Sequence, residues 1–213
     1  FIPTITSRIH VIKTGRLKFI KYQGILKNMS DNLDPIFDKL HNGVAFGESL
    51  GADFLELRYD NLNVLAIDNT NLDIKDVGTK QNKGIGVIAY FDGSEGACFT
   101  PDLSQSAINE AVKSAYQMAK SNASLTTLKL PFERQPATNA KLSFQGKIHP
   151  KDVEFADKLA YLSRIYEGIQ EHSEAKSSTI LYGELWGDKL FVNSEGVEIE
   201  WHPLVLDLAA IAR

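Results

Sequence analysis

The 213 residues predict an α+β fold, a mostly antiparallel sheet with two long helices packed on it, and three features carry that expectation. Residues 53–60, DFLELRYD, alternate apolar and polar side chains at the two-residue period of a half-buried strand. Asp92-Gly93 separates two runs of strand-forming residues, and this dipeptide is suited to a two-residue hairpin turn. Apolar residues recur at helical spacing after Leu103 and again after Lys151, and strand patterns resume beyond the second run.

In chain order, MSDNLDPIFDKL from Met29 opens a helix. Asp34 is its expected cap, Pro35 fits the first helical position, and Ile36, Leu40, Val44 and Leu50 form its apolar stripe up to Gly51. The strand at 53–60 places Leu55, Leu57 and Tyr59 on one side and Glu56, Arg58 and Asp60 on the other. VLAIDNTNLDIKDVG then reads as two short strands about a turn at Asp68-Asn69-Thr70-Asn71, so four or five antiparallel strands precede the first long helix.

The stretch GIGVIAYFDGSEGACFTPDLS, residues 84–104, raises the question of a phosphate cradle. Such a cradle sets its glycines between a strand and the start of a helix, whose N–H groups face the anion. Here Gly84 and Gly86 open an apolar run that ends at Asp92-Gly93, and a return strand from Gly96 to Phe99 follows. The third glycine position of G-x-G-x-x-G is Ala89, and no G-x-x-x-x-G-K-[ST] occurs. The stretch is two strands and a turn.

The next helix buries Ala107/Ile108, Ala111/Val112, Ala115 and Met118/Ala119, and residues 121–150, holding Pro131, Pro136, Gly146 and Pro150, read as a long connection. A further helix from 151 to 172 buries Val153, Ala156, Leu159, Ala160 and Ile169. STILYGELW, a turn at Gly187-Asp188, KLFVN, a turn at Ser194-Glu195-Gly196 and VEIEW complete the strands, with Val197, Ile199 and Trp201 alternating. The closing LVLDLAAIAR is almost wholly apolar. Left bare it invites aggregation, so the expectation is that the chain is the front part of a longer protein.

Charge separates the chain into two parts. Six of its 23 basic residues (Arg8, Lys13, Arg16, Lys18, Lys21 and Lys27) lie in residues 1–28 with no acidic residue, leaving 17 against all 27 acidic residues, a balance of −10, for the body. An acidic body argues against direct nucleic-acid binding. The basic leader, 1–28, is expected to be non-native or disordered, with Met29 the natural start and 29–213 the folded domain. Cys98 is the single cysteine, so no internal disulfide forms, and a reducing cytoplasm is expected. No apolar run approaches the ~20 residues that span a bilayer, so no membrane association is expected.

Candidate chemistry is sparse. His10, His41, His149, His172 and His202 never fall three or four residues apart, so no pair sits on one helix face as metal ligands. His202 reads as a packing residue and Cys98 as a structural thiol. GSEG at 93–96 lacks the G-x-S-x-G spacing of a serine elbow. Asp68, Asp73 and Asp76 lack the spacing of a calcium loop and read as a solvated edge. Tyr182, Trp186 and Trp201 suit a sheet core better than an aromatic binding surface. No catalytic or metal-binding residue is assigned. What remains is a sheet able to hold a peptide by strand addition, a mode that uses main-chain hydrogen bonds and asks little of side chains.

GADFLELRYDN (51–61), KGIGVIAYFDGSEGACFTPDLSQSAINEAVKSAYQMAK (83–120) and FVNSEGVEIE (191–200) resemble the amino-terminal half of the TldD/PmbA family, once called modulators of DNA gyrase and grouped with metallopeptidases. The matching positions include Gly84, Gly86, Asp92, Gly93, Asn193, Glu195 and Gly196, all expected to be structural. The resemblance implies a cytoplasmic dimer, of two copies or of two related subunits, that cleaves unfolded peptides. It also implies zinc held by an H-E-x-x-x-H helix and a later cysteine in the carboxy-terminal half, none of which occurs in this sequence, so the chain alone is expected to be inactive. The other reading is a non-catalytic PmbA-like partner or remnant that only binds peptide or protein.

Overall fold

A computed structural model describes residues 33–125, 127, 136–144, 146–172 and 174–213, with His172 and a short strand at 9–11 described by backbone alone. Its elements are β1 (Ile9–Val11), α1 (Asp34–Leu50), β2 (Phe54–Thr70), β3 (Asp73–Phe91), β4 (Ser94–Thr100), α2 (Gln105–Leu125), β5 (Asn139–Ser143), α3 (Phe155–His172), β6 (Ser178–Asn193), β7 (Glu198–His202) and β8 (Leu204–Ala212). One sheet runs β1-β8-β6-β2-β3-β4, with β7 paired to β6 and β5 to β7. Among the described residues only β1 with β8 and β5 with β7 are parallel. The fold is α+β, mostly antiparallel, with helices packed on the sheet.

The strands are fewer and longer than expected. β2 is one strand of 17 residues, paired along its length to β3 and, from Glu56 onward, to β6. The turn expected at Asp68–Asn71 therefore falls at Asn71-Leu72, whose φ of 53° and 65° are left-handed. Ladders on both flanks hold Asp68 to Thr70 extended, which overrides their turn preference; a register shift between Asp68 and Asn69 marks the conflict. Nor does the chain turn at Gly187-Asp188, because β6 runs through them. Gly187 serves a close approach: a Cβ there would lie 2.0 Å from the Asn61 carbonyl oxygen. β2, β3 and β4 thus fill the stretch given to four or five strands.

The helix ends also differ in part. Leu33 occupies the cap position of α1 without a side-chain hydrogen bond, and Asp34 is the first helical residue, where its carboxylate faces the positive end of the helix dipole. Gly51 ends α1 in the left-handed conformation at φ 92°, as its position predicts. α2 continues to Leu125 and residues 139–143 form β5, so the expected connection is shorter. The terminal apolar stretch is β8, which pairs with β6 along its whole length and with β1 at 208–210. The rest of the leader lies outside the described residues.

Among the described residues the three α-helices all lie on one face of the sheet, and the other face carries none. α1 and α2 cover its near half through Leu40, Val44, Ile108, Val112 and Ala115 against Leu55, Leu57, Tyr59, Ile85 and Val87. Small residues let them approach. A Cβ on Gly47 would lie 2.1 Å from Leu55 Cδ1, and one on Gly96 of β4 would lie 2.1 Å from the Ala115 carbonyl of α2. α3 covers the far half through Leu162 against Ile67 and Ile180. Its buried face departs from the expected one. Ala156 and Ala160 are exposed, Leu159 and Ile169 are half-buried, and Lys158 is buried. The Lys158 ammonium meets Glu184 Oε1 of β6 at 2.8 Å, and the Tyr182 hydroxyl donates to the same carboxylate. A lysine at the centre of the contact shifts the packed face away from the alanines.

Candidate functional site on the helix-free face

Strand parity decides what the other face carries. The odd residues of β2 point toward the helices, so Phe54, Glu56, Arg58 and Asp60 point away from them. Their neighbours on that face are Ile88 and Tyr90 of β3 and Phe191 and Asn193 of β6. With Val197, Ile199 and the Pro136–Thr138 strand approach they line an open groove of about 540 Å³.

Its floor is aromatic. The Phe54 and Tyr90 rings meet edge to face with centroids 5.8 Å apart, and the Arg58 guanidinium lies over the Phe191 ring at 5.4 Å. Arg58 also pairs with Glu56, whose carboxylate is mostly buried while the arginine is mostly exposed. The Tyr90 hydroxyl donates to Glu95 Oε2 at 2.8 Å, and that bond, with burial, pushes its pKa up to about 12. The phenol therefore stays neutral at ordinary pH. Farther along the same face Lys189 pairs with Asp60 at 3.3 Å and covers the Trp201 ring at 5.6 Å.

The seven family-motif positions shape the borders of this face. Asp92 and Gly93, at φ 48° and 75°, make the left-handed pair of a type I′ turn, and the Asp92 N–H donates to Asp53 Oδ2 at 2.6 Å. Gly84 and Gly86 lie on the helix-free side of β3. A Cβ on Gly84 would lie 2.4 Å from the Phe99 ring, so the glycine makes room for an aromatic from the neighbouring strand. Asn193 is buried, and its Oδ1 accepts from the N–H groups of Glu195 at 2.9 Å and Val197 at 3.0 Å, closing the turn that Gly196 completes at φ 81°. Asn193 and Glu195 line the groove, whereas the four hairpin residues do not.

The remaining candidates separate. Tyr182 and Trp186 fall on the helix side of β6 and Trp201 on the opposite side of β7, so they form no joint aromatic surface. His41 bridges α1 to Glu198 at 2.8 Å, and His202 sits between Asp188 at 2.8 Å and Glu200 at 2.6 Å. Burial opposes ionisation of Glu200, but hydrogen bonds from Lys141 and His202 outweigh it and hold the carboxyl below its usual range. Cys98 is half-buried, and its thiol lies 3.9 Å from the Phe99 carbonyl. Asp68 and Asp76 oppose each other across β2 and β3, while Asp73 pairs with Lys75. Among the described residues no group of three or more His, Cys, Asp or Glu side chains is placed to hold a metal ion, so the residues present do not fit zinc. No helix among them is long and apolar enough to cross a membrane.

That Arg58, Phe191 and Tyr90 line one groove is not legible in the sequence, although the even positions of DFLELRYD mark Arg58 as the second face of a strand.

Comparison with known proteins aligns two family models with the chain. The PmbA/TldA metallopeptidase domain 1 matches residues 56–119 and the PmbA/TldA metallopeptidase central domain matches 148–202, together more than half of the chain. A metalloprotease of Methanocaldococcus jannaschii is 24% identical over 127 residues, 60% of this chain and 28% of the relative. A proposed modulator of DNA gyrase from Bacteroides thetaiotaomicron shares the fold with a TM-score of 0.63 at 16% identity, over 83% of this chain and 40% of that one. TldE from Thermococcus kodakarensis gives 0.52 at 17% identity, over 82% and 43%. The chain thus spans about two fifths of the solved relatives and a smaller share of the curated one.

Proposed function

The chain belongs to the PmbA/TldD family, and from that premise we propose that it is the substrate-holding and subunit-contacting part of a cytoplasmic metallopeptidase acting on unfolded peptides. The observation that carries the reading is the helix-free face. A sheet with helices on one side and an open groove on the other, floored by Phe54, Tyr90 and Phe191, offers apolar contact to the side chains of an extended chain. Arg58, which is paired with Glu56, and Glu195 place charged groups at the groove for orientation. No hydrolytic step is derived, because the residues described do not hold zinc; in this reading the zinc ligands belong to the part of the relatives that this stretch does not span.

The test is binding of a reduced, carboxymethylated polypeptide to the 213-residue chain, followed by fluorescence anisotropy. Micromolar binding that weakens at least fivefold in Phe191→Ala and in Arg58→Glu supports the reading. Absence of binding at tens of micromolar overturns it.

A further inference from the structure

We propose that the hollow seam between the two helix layers is a binding site for a small organic anion, one that presents phosphate or carboxylate oxygens on a compact apolar body. The seam lies on the opposite face of the sheet from the groove described above and is independent of peptide holding.

Strand register leaves the gap. On the helix side the near layer ends at Tyr59 and Leu190, and the far cluster begins at Leu65 and Tyr182. Between them Asn61 stands opposite Asp188 and Asn63 opposite Trp186 across β2 and β6, four adjacent side chains on the helix side. They line a cavity of about 720 Å³ together with Lys147, His149 and Lys151 of the stretch that leads into α3. A second cavity of about 410 Å³ shares Asn63, Lys151 and Trp186 with it, so the hollow continues toward Lys158 and Glu184.

The polar groups left unspent here are mostly donors. The Lys151 N–H donates to His149 Nδ1 at 3.1 Å, so Nε2 carries the ring hydrogen, and burial lowers the pKa of the imidazole and favours this neutral form. Gln81 donates to Asn61 Oδ1 at 3.1 Å, which leaves the amide NH₂ of Asn61. These two groups, the Trp186 indole N–H and the Lys147 and Lys151 ammonium groups meet no acceptor among the described residues. Acceptors are fewer. Asp188 already pairs with His202 at 2.8 Å, and Asp152 is the other carboxylate of the lining.

Two unpaired ammonium groups beside neutral N–H donors suit a ligand rich in anionic oxygens, each of which accepts several charge-assisted hydrogen bonds. The size of the cavity and its apolar wall at Trp186 and Leu204 suit an organic body rather than a bare ion.

The probes are phenyl phosphate and benzoate, with benzyl alcohol as their uncharged counterpart, titrated into the ¹⁵N-labelled 213-residue chain. Its two tryptophans give two indole N–H signals, which Trp201→Phe assigns. The expected result is a saturable shift of the Trp186 signal at low-millimolar concentrations of an anion, while the Trp201 signal stays fixed. The anion that binds more tightly identifies the headgroup. Lys147→Ala combined with Lys151→Ala is expected to weaken binding at least fivefold, and so is Asn63→Asp, which puts a negative charge on the cavity floor at nearly constant shape. Lys113→Ala combined with Lys176→Ala makes the same charge change outside the cavity and is expected to leave binding unchanged. An equal response to benzyl alcohol, or an equal loss in the Lys113/Lys176 pair, overturns the anion site. So does the absence of any saturable Trp186 shift at tens of millimolar of either anion.

Discussion

The two halves of the sheet are held to their helices by different forces. Over the near half, α1 and α2 press an apolar layer onto Leu55, Leu57, Ile85 and Val87, with glycines at the points of closest approach. Over the far half, α3 shares only a small cluster around Leu162, Ile67 and Ile180, and its other anchor is the buried Lys158–Glu184–Tyr182 group. The family models separate α2 from α3, one ending within α2 and the other starting just before α3, although β2 and β6 each run through both halves. The near half has the affinity of any hydrophobic core; the far half depends on one polar group being complete.

The largest expected effect breaks that group. Lys158→Ala leaves a carboxylate buried without its cation and is expected to cost about 3–5 kcal/mol, read as a shift in urea midpoint. Replacing the whole group, Lys158→Met with Glu184→Leu and Tyr182→Phe, is expected to return stability to within about 1 kcal/mol of the parent. If the triple variant is as unstable as the single one, the far half is not held in this way.

Glycines sharpen the contrast at a smaller scale. Gly47→Ala puts a methyl 2.1 Å from Leu55 Cδ1 and is expected to destabilise by about 1–3 kcal/mol through overpacking. Gly168→Ala in α3 meets nothing within 4 Å and is expected to stabilise by about 0.5–1 kcal/mol, the helix preference of alanine. Thermal midpoints moving in the same direction for both would contradict the difference in packing.

The smallest effect is on pH. Burial, aided by Lys151, lowers the pKa of His149, which packs edge-on against Trp186 beside the start of α3. A histidine whose folded pKa is depressed stabilises the fold above its unfolded value of about 6.5 and loses that contribution as pH falls through it. Amide exchange in α3 is expected to quicken between pH 7 and 6 relative to α2, and His149→Gln should abolish the difference.

The same contrast explains what was legible in the sequence. α2 could be read because Ile108, Ala111, Val112, Ala115 and Ala119 obey one helical stripe and all are buried. α3 was assigned as a helix, and Leu159 and Ile169 of its expected face do pack, but Ala156 and Ala160 are exposed, since periodicity counts lysine as solvent-facing and here Lys158 is inside. The hairpin at Asp92-Gly93 was visible because its two residues need left-handed backbone. The turn at Asn71-Leu72 was not, because leucine gives no such signal and Asp68-Asn69-Thr70 gave a false one. Of the groove, Arg58, Glu56, the Asn193–Gly196 turn and the alternating Val197 and Ile199 stood out, whereas its aromatic floor is assembled from strands far apart in sequence.

The most direct measurement is hydrogen–deuterium exchange of the 213-residue chain with and without unfolded polypeptide. Slower exchange at residues 54–58 and 191–197, with α3 unchanged, is the outcome expected if the peptide lies along the helix-free face. Protection confined to α3, or none anywhere on the sheet, would contradict it.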